Sequence, residues 1–160
     1  MKTFKFTTTL FSIALLVLLA SSCKKKCKLD GDSTDTGSII EGVVVYPESG
    51  YMTGNMGGNY VISANSSYAD KFEVSFSQGP REAVNFTNYK ILAFPISANC
   101  NAQYERNVAI NTSTQSVIYS IKVTQCSDCK EARGTENYVL VPTFPDNYTV
   151  TNVLTVVDKN

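Results

Sequence analysis

The stretch YERNVAINTSTQSVIYSIKV, Tyr104–Val123, decides the fold. Val117, Tyr119, Ile121 and Val123 alternate with Ile118, Ser120 and Lys122, and Tyr104, Val108 and Ile110 share one face of the preceding segment. A period of two marks half-buried strands. Thr112–Gln115 is short and polar and serves as the hairpin loop between Asn111 and Ser116, so facing residue numbers sum to 227. Ile110 then meets Val117, Val108 meets Tyr119 and Tyr104 meets Val123. A slip of one residue would send every apolar side chain to the wrong face. Arg106 faces Ile121 in this register, a charge among apolar neighbours that a sheet rim tolerates when the long stem covers apolar surface.

The same pattern extends outward. Ile39–Tyr46 carries a Val43-Val-Val45 run, and Lys71–Ser77 places Phe72, Val74 and Phe76 on one face. Tyr89–Phe94 is an apolar run stopped by Pro95, and Tyr138–Val141 ends at Pro142. Tyr148–Val157 sets Val150, Leu154 and Val156 on one side, and Tyr60–Ser63 is a further short strand. No segment sustains a helical period. Seven or eight short strands predict an all-β domain over residues 39–160, an antiparallel β-sandwich or a barrel-like fold. A unit of this size buries well over roughly 60% of its unfolded surface and stands without a metal.

Composition removes whole classes of function. The chain has 160 residues, 14 basic against 14 acidic, with no His and no Trp. A balanced charge lacks the massed Lys and Arg that nucleic-acid binding requires, so no nucleic-acid partner is expected. Without His there is no His-based triad, zinc motif or proton relay. The Asp and Glu residues are scattered at turns and outward strand faces, and no G-x-S-x-G elbow or S-x-x-K motif occurs. The expectation is no catalytic residue, no cofactor and no metal.

The N-terminus reads as an address. Lys2 and Lys5 precede an apolar run, Leu10–Ala20, whose eleven helical residues reach about 17 Å, short of the roughly 30 Å hydrocarbon core. That favours a cleaved signal peptide, residues 1–22, over a membrane span. Ala20-Ser21-Ser22-Cys23 resembles the lipobox of Gram-negative lipoproteins, with Ala20 where that family prefers Leu. The resemblance implies cleavage before Cys23, acylation of its sulfur (palmitate among the acyl chains) and anchorage in the cell envelope at the outer membrane. Removing Lys2 and Lys5 from the 14 basic residues leaves 12 against 14 acidic ones. Residues 24–38 hold Lys24, Lys25, Lys26 and Lys28, then an apolar-free Asp30–Ser38 segment, and read as a flexible linker spanning about 20 Å. Asp32-Ser33-Thr34 resembles an O-glycosylation signal of one Gram-negative group, which implies Ser33 as the acceptor. Asp30, Asp32, Thr34 and Glu41 mimic calcium-loop positions, but Asp35 stands where that loop needs Gly.

Cys27, Cys100, Cys126 and Cys129 would then face an oxidising compartment. The hairpin register carries Cys100 to the end that holds Cys126 and Cys129. Cys100 shares the inward parity of Cys129, which favours a Cys100–Cys129 bridge, with Cys126 as the alternative partner. Cys126-Ser-Asp-Cys129 has redox spacing but no helix to follow it.

Four of the nine glycines fall in Gly50–Gly58, a long loop bearing Tyr51, Met52 and Met56. Met and Tyr adapt to partners, so this is the candidate recognition loop. Asn85-Phe86-Thr87 leading into an apolar strand, the central hairpin and the late Val139-Leu-Val-Pro142 strand resemble the β-rich domain of protease-complex-stabilising lipoproteins. The first expectation is a non-catalytic, lipid-anchored structural or interaction module whose partners are the membrane and an envelope protein or glycan. The resemblance implies a protease-regulating alternative, and a carboxylate-dependent envelope hydrolase is the third reading.

Overall fold

The computed structural model describes residues 27–29, 33–49, 56–128 and 131–159. The signal peptide, Cys23, Tyr51, Met52 and Cys129 lie outside the described residues.

The hairpin forms as its pattern requires. β8 (Ala102–Asn111) and β9 (Ser116–Cys126) pair antiparallel with Tyr104 opposite Val123, Val108 opposite Tyr119 and Ile110 opposite Val117. β1 (Thr34–Gly37) adds to β8 in parallel, and β12 (Thr149–Lys159) adds to β9 in parallel, giving the order β1-β8-β9-β12. The expected flexible linker therefore ends early, because Thr34–Gly37 is a sheet strand. Its polar side chains are the reason it looks unstructured in sequence. Backbone hydrogen bonds to β8 and one ion pair hold it, rather than burial.

A second, bent ribbon crosses the inner face of this sheet. β6 (Tyr89–Ala93) pairs antiparallel with β11 (Tyr138–Pro142), and β7 (Ile96–Asn99) with β10 (Ala132–Thr135). Both ladders keep one register, in which facing numbers sum to 231. They are thus one hairpin kinked where Pro95 lacks an N–H and Asn137 adopts φ 48°. Asn137 Nδ2 donates to the carbonyls of Phe94 and Thr135, and the Asn137 carbonyl accepts from the Tyr119 hydroxyl at 2.9 Å. The kink is thereby satisfied although it is buried.

β3 (Tyr60–Ile62) extends the β11-β6 sheet, and β2 (Val43–Pro47), β4 (Phe72–Phe76) and β5 (Glu82–Ala83) form the outermost sheet. Leu92, Val139 and Val141 of the middle sheet pack with Val108, Tyr119 and Ile121. Ile91, Ala93 and Leu140 face the other way, onto Phe72 and Val74. The middle strands are buried on both faces, which is why they read as unbroken apolar runs rather than alternations. The domain is all-β and sandwich-like, with open sheets, so the barrel-like option does not hold. Lys90, within the Tyr89–Phe94 run, is buried at 4% exposure; its ammonium bonds Asp146 Oδ1 and lies 4.4 Å from the Phe144 ring centroid.

Candidate interaction surface

Cys126, at the end of β9, is bonded to Cys27 across a sequence separation of 99. This overturns the alternative Cys100–Cys126 bridge: the parallel strand β1 brings the N-terminal segment back along β8 to the Cys126 end, a route that hairpin arithmetic could not show. Cys100 is itself in a disulfide, and with Cys27 and Cys126 joined its partner lies outside the described residues, as Cys129 does. The Cys27 N–H also donates to Asp128 Oδ2 at 3.3 Å. Cys27, Cys126 and Asp128 place three ligand-type atoms within 4.8 Å of one another, but the disulfide uses both sulfurs. Cys126 ends a strand, so its Ser127-Asp128 neighbours do not open a redox helix.

Ser33 sits opposite Tyr104 beside β1, exposed, and its Oγ accepts the Tyr104 N–H at 3.1 Å. Asp35, from the same segment, meets the charge that looked misplaced in β8. Arg106 Nε and Nη2 donate to the two Asp35 carboxylate oxygens at 2.6 and 3.0 Å. A cleft of about 300 Å³ lies next to this pair, bounded by Val43–Val45 and Thr135–Tyr138. The Tyr138 hydroxyl donates to Glu136 there at 3.2 Å. The guanidinium is already spent on Asp35, so the cleft presents no free cation from Arg106.

Of the candidate recognition residues Tyr51, Met52 and Met56, the structure describes Met56. It is 49% exposed, and its Cε occupies the space that a Cβ on Gly134 would take, at 2.6 Å. The Gly57 N–H donates to the Pro95 carbonyl at 2.6 Å, at the ribbon kink. Asn59 Nδ2 donates to the Val150 carbonyl, and Asn152 Nδ2 donates to the Gly58 carbonyl. Met56–Asn59 is thus fastened between the ribbon and β12.

Strand patterning identified β12 but not the exposure of its apolar residues. Val150, Leu154 and Val156 share one face, in register with Val117, Ile121 and Val123 of the core. Leu154 and Val156 nonetheless remain exposed, as do Val153 and Val157 on the opposite face. Four exposed aliphatic residues within five positions of one edge strand make an apolar contact surface. The signal was present in the sequence: Val153-Leu154-Thr-Val156-Val157 is apolar on both faces, whereas β9 is apolar on one.

Among the described residues, no helix is long and apolar enough to cross a membrane. Comparison with protein-family models, with curated proteins and with solved structures finds no match, so the chain's own residues must carry the functional argument.

Proposed function

We propose that this chain is a lipid-anchored cell-envelope protein whose β-sandwich acts as a non-catalytic interaction module. The observation that supports it best is the oxidised state of Cys27, Cys100 and Cys126, the cysteine chemistry of an exported protein. It agrees with the basic, apolar and small-residue succession that ends at Cys23. An acylated Cys23 sulfur cannot form a disulfide, which leaves Cys129 as the partner of Cys100. The Cys27–Cys126 bond also shortens the tether. Four Cα steps separate Cys23 from Cys27, at most about 14 Å of chain, so the Cys126 end of the central sheet would sit close to the headgroups. Lys24, Lys25 and Lys26 fall in that interval and Lys28 follows it directly, and each would add about 1 kcal/mol of attraction to an anionic surface.

Metabolic labelling with a fatty acid tests the anchor. The wild-type chain should incorporate label and Cys23→Ser should not. An unlabelled wild-type chain would overturn the anchored form.

A further inference from the structure

β12 closes the sheet order β1-β8-β9-β12, and its outer edge carries no strand among the described residues. It is eleven residues long, contains no Pro or Gly, and keeps an unbroken ladder from Thr149 opposite Ser116 to Lys159 opposite Cys126. Natural edges of this length are normally blunted by a bulge, a Pro, or an inward-pointing charge. Within Val153–Val157 none of these devices is present.

The hydrogen-bond phase of β12 shows which groups face outward. The Thr149 N–H donates to the Gln115 carbonyl, and the Lys159 carbonyl accepts from the Ser127 N–H. In a parallel pair, alternate residues use both backbone groups on the same neighbour. Odd-numbered residues of β12 therefore bond β9, and even-numbered residues turn their N–H and C=O to the open edge. The Val150 carbonyl is taken by Asn59. Asn152, Leu154, Val156 and Asp158 are left facing outward.

A second copy of this strand fits these groups. Place a two-fold axis normal to the sheet at Thr155, so that a residue and its partner's residue sum to 310. Leu154 then opposes Val156 on the inner face, and Val153 opposes Val157 on the outer face. Thr155 opposes itself, and Asn152 opposes Asp158. Apolar meets apolar on both faces, no like charges face each other, and the even-numbered residues fall in hydrogen-bonded pairs as antiparallel geometry requires. Shifting the sum to 308 would set Asn152 against Val156 and Asp158 against Val150, whose carbonyl is already occupied. We infer that two copies of this chain associate antiparallel through β12, in the Thr155-centred register, to form one continuous eight-stranded sheet. A two-fold pairing of this kind is isologous: it uses the β12 edge of each copy and closes at two copies. It deepens the interaction-module reading by naming a partner, and is independent of the lipid.

The exported chain carrying Cys23→Ser, which removes acyl chains as a cause of association, should sediment as a dimer at about 0.1 mM. A monomer at that concentration would overturn the inference and leave the anchor, read separately by labelling, untouched. Thr155 lies at the axis in a non-hydrogen-bonded pair, where Cα atoms are about 4.5 Å apart and within disulfide reach. Thr155→Cys should give a covalent dimer on a non-reducing gel, and Thr151→Cys should not. Equal cross-linking at both positions would exclude this register. Val156→Pro removes only an outward N–H and should sediment as a monomer; a persistent dimer would refute the edge contact. If that variant fails to fold, the exposed pair V153K/V157K puts like charges opposite each other and should dissociate the dimer, while V153K/V157E should restore it.

Discussion

The Arg106 guanidinium lies bidentate on the carboxylate of Asp35, 71 residues earlier, and this pair joins β1 to the inner side of β8. Both side chains are about three-quarters covered, at 24% and 28% exposure. Arg106 is an anomaly in the hairpin alone and an ordinary buried-edge ion pair once β1 is in place.

Removing one member leaves the other poorly solvated. Asp35→Leu should lower the unfolding free energy by about 1–2 kcal/mol, and the double variant D35L/R106L should recover part of that loss. Urea denaturation of the wild type, both single variants and the double variant measures the coupling. Strictly additive effects would show that the pair contributes nothing.

Gly37 ends β1 at φ +75°, and a Cβ there would meet the Val108 carbonyl oxygen at 2.3 Å. Gly57 has a similar φ of +80° with open space around it. Gly37→Ala should therefore cost about 3 kcal/mol or more, and Gly57→Ala only about 1 kcal/mol. Equal losses in thermal denaturation would mean that β1 does not pack on β8 as described.

The Cys27–Cys126 bond closes a loop of about a hundred residues, worth about 4.7 kcal/mol in the chain-entropy account. Cys27→Ser should lose a large share of this in denaturant titration. Peptide mapping without reductant should recover the Cys27 peptide linked to the Cys126 peptide; a free Cys27 thiol would contradict the pairing.

Tyr119 is fully buried, and loss of solvent pushes its phenol far above the usual range, with the Asp35 charge adding to the shift and Arg106 opposing it. The folded state therefore holds its proton at a pH where the unfolded state has released it. This contribution is constant below the unfolded value near 10, and stability then falls as pH rises, by up to about 1.4 kcal/mol per pH unit. Tyr119→Phe should flatten that alkaline decline, at the expense of the bond to the Asn137 carbonyl. An unchanged slope would place the effect on other tyrosines.

Asp146 behaves in the opposite sense. The hydrogen bond and charge of Lys90 hold its carboxyl below the ordinary value. Its contribution is present at neutral pH and is lost as pH falls through the lowered folded value. Asp146→Asn strands the buried Lys90 ammonium and should lower Tm, whereas Lys90→Met should stay within about 1 kcal/mol of wild type. The reverse order would mean that Lys90 is stabilised by something other than Asp146.

Local pattern was enough for several features. Alternation in Tyr104–Val123 determined the hairpin and its register, because only one pairing buries both apolar faces. The Lys71–Ser77 and Tyr89–Phe94 segments were equally legible as strands. The conjunction of Leu10–Ala20 with Cys23 is likewise a property of the chain alone. Other features depended on contacts between distant segments. Thr34–Gly37 has no apolar side chain, and only the exposed edge of β8 and the Arg106 charge make it a strand. Cys27 meets Cys126 because β1 runs parallel to β8, a direction that no local rule encodes. Short, polar β10 is recruited by β7, and the kink at Pro95 and Asn137 sends one ribbon into two sheets. Leu154 and Val156 carry the same apolar signal as the core, yet they are exposed because the crossing ribbon does not cover the outer edge of β12. Periodicity reports which face of a strand is apolar; only packing decides whether anything lies against it.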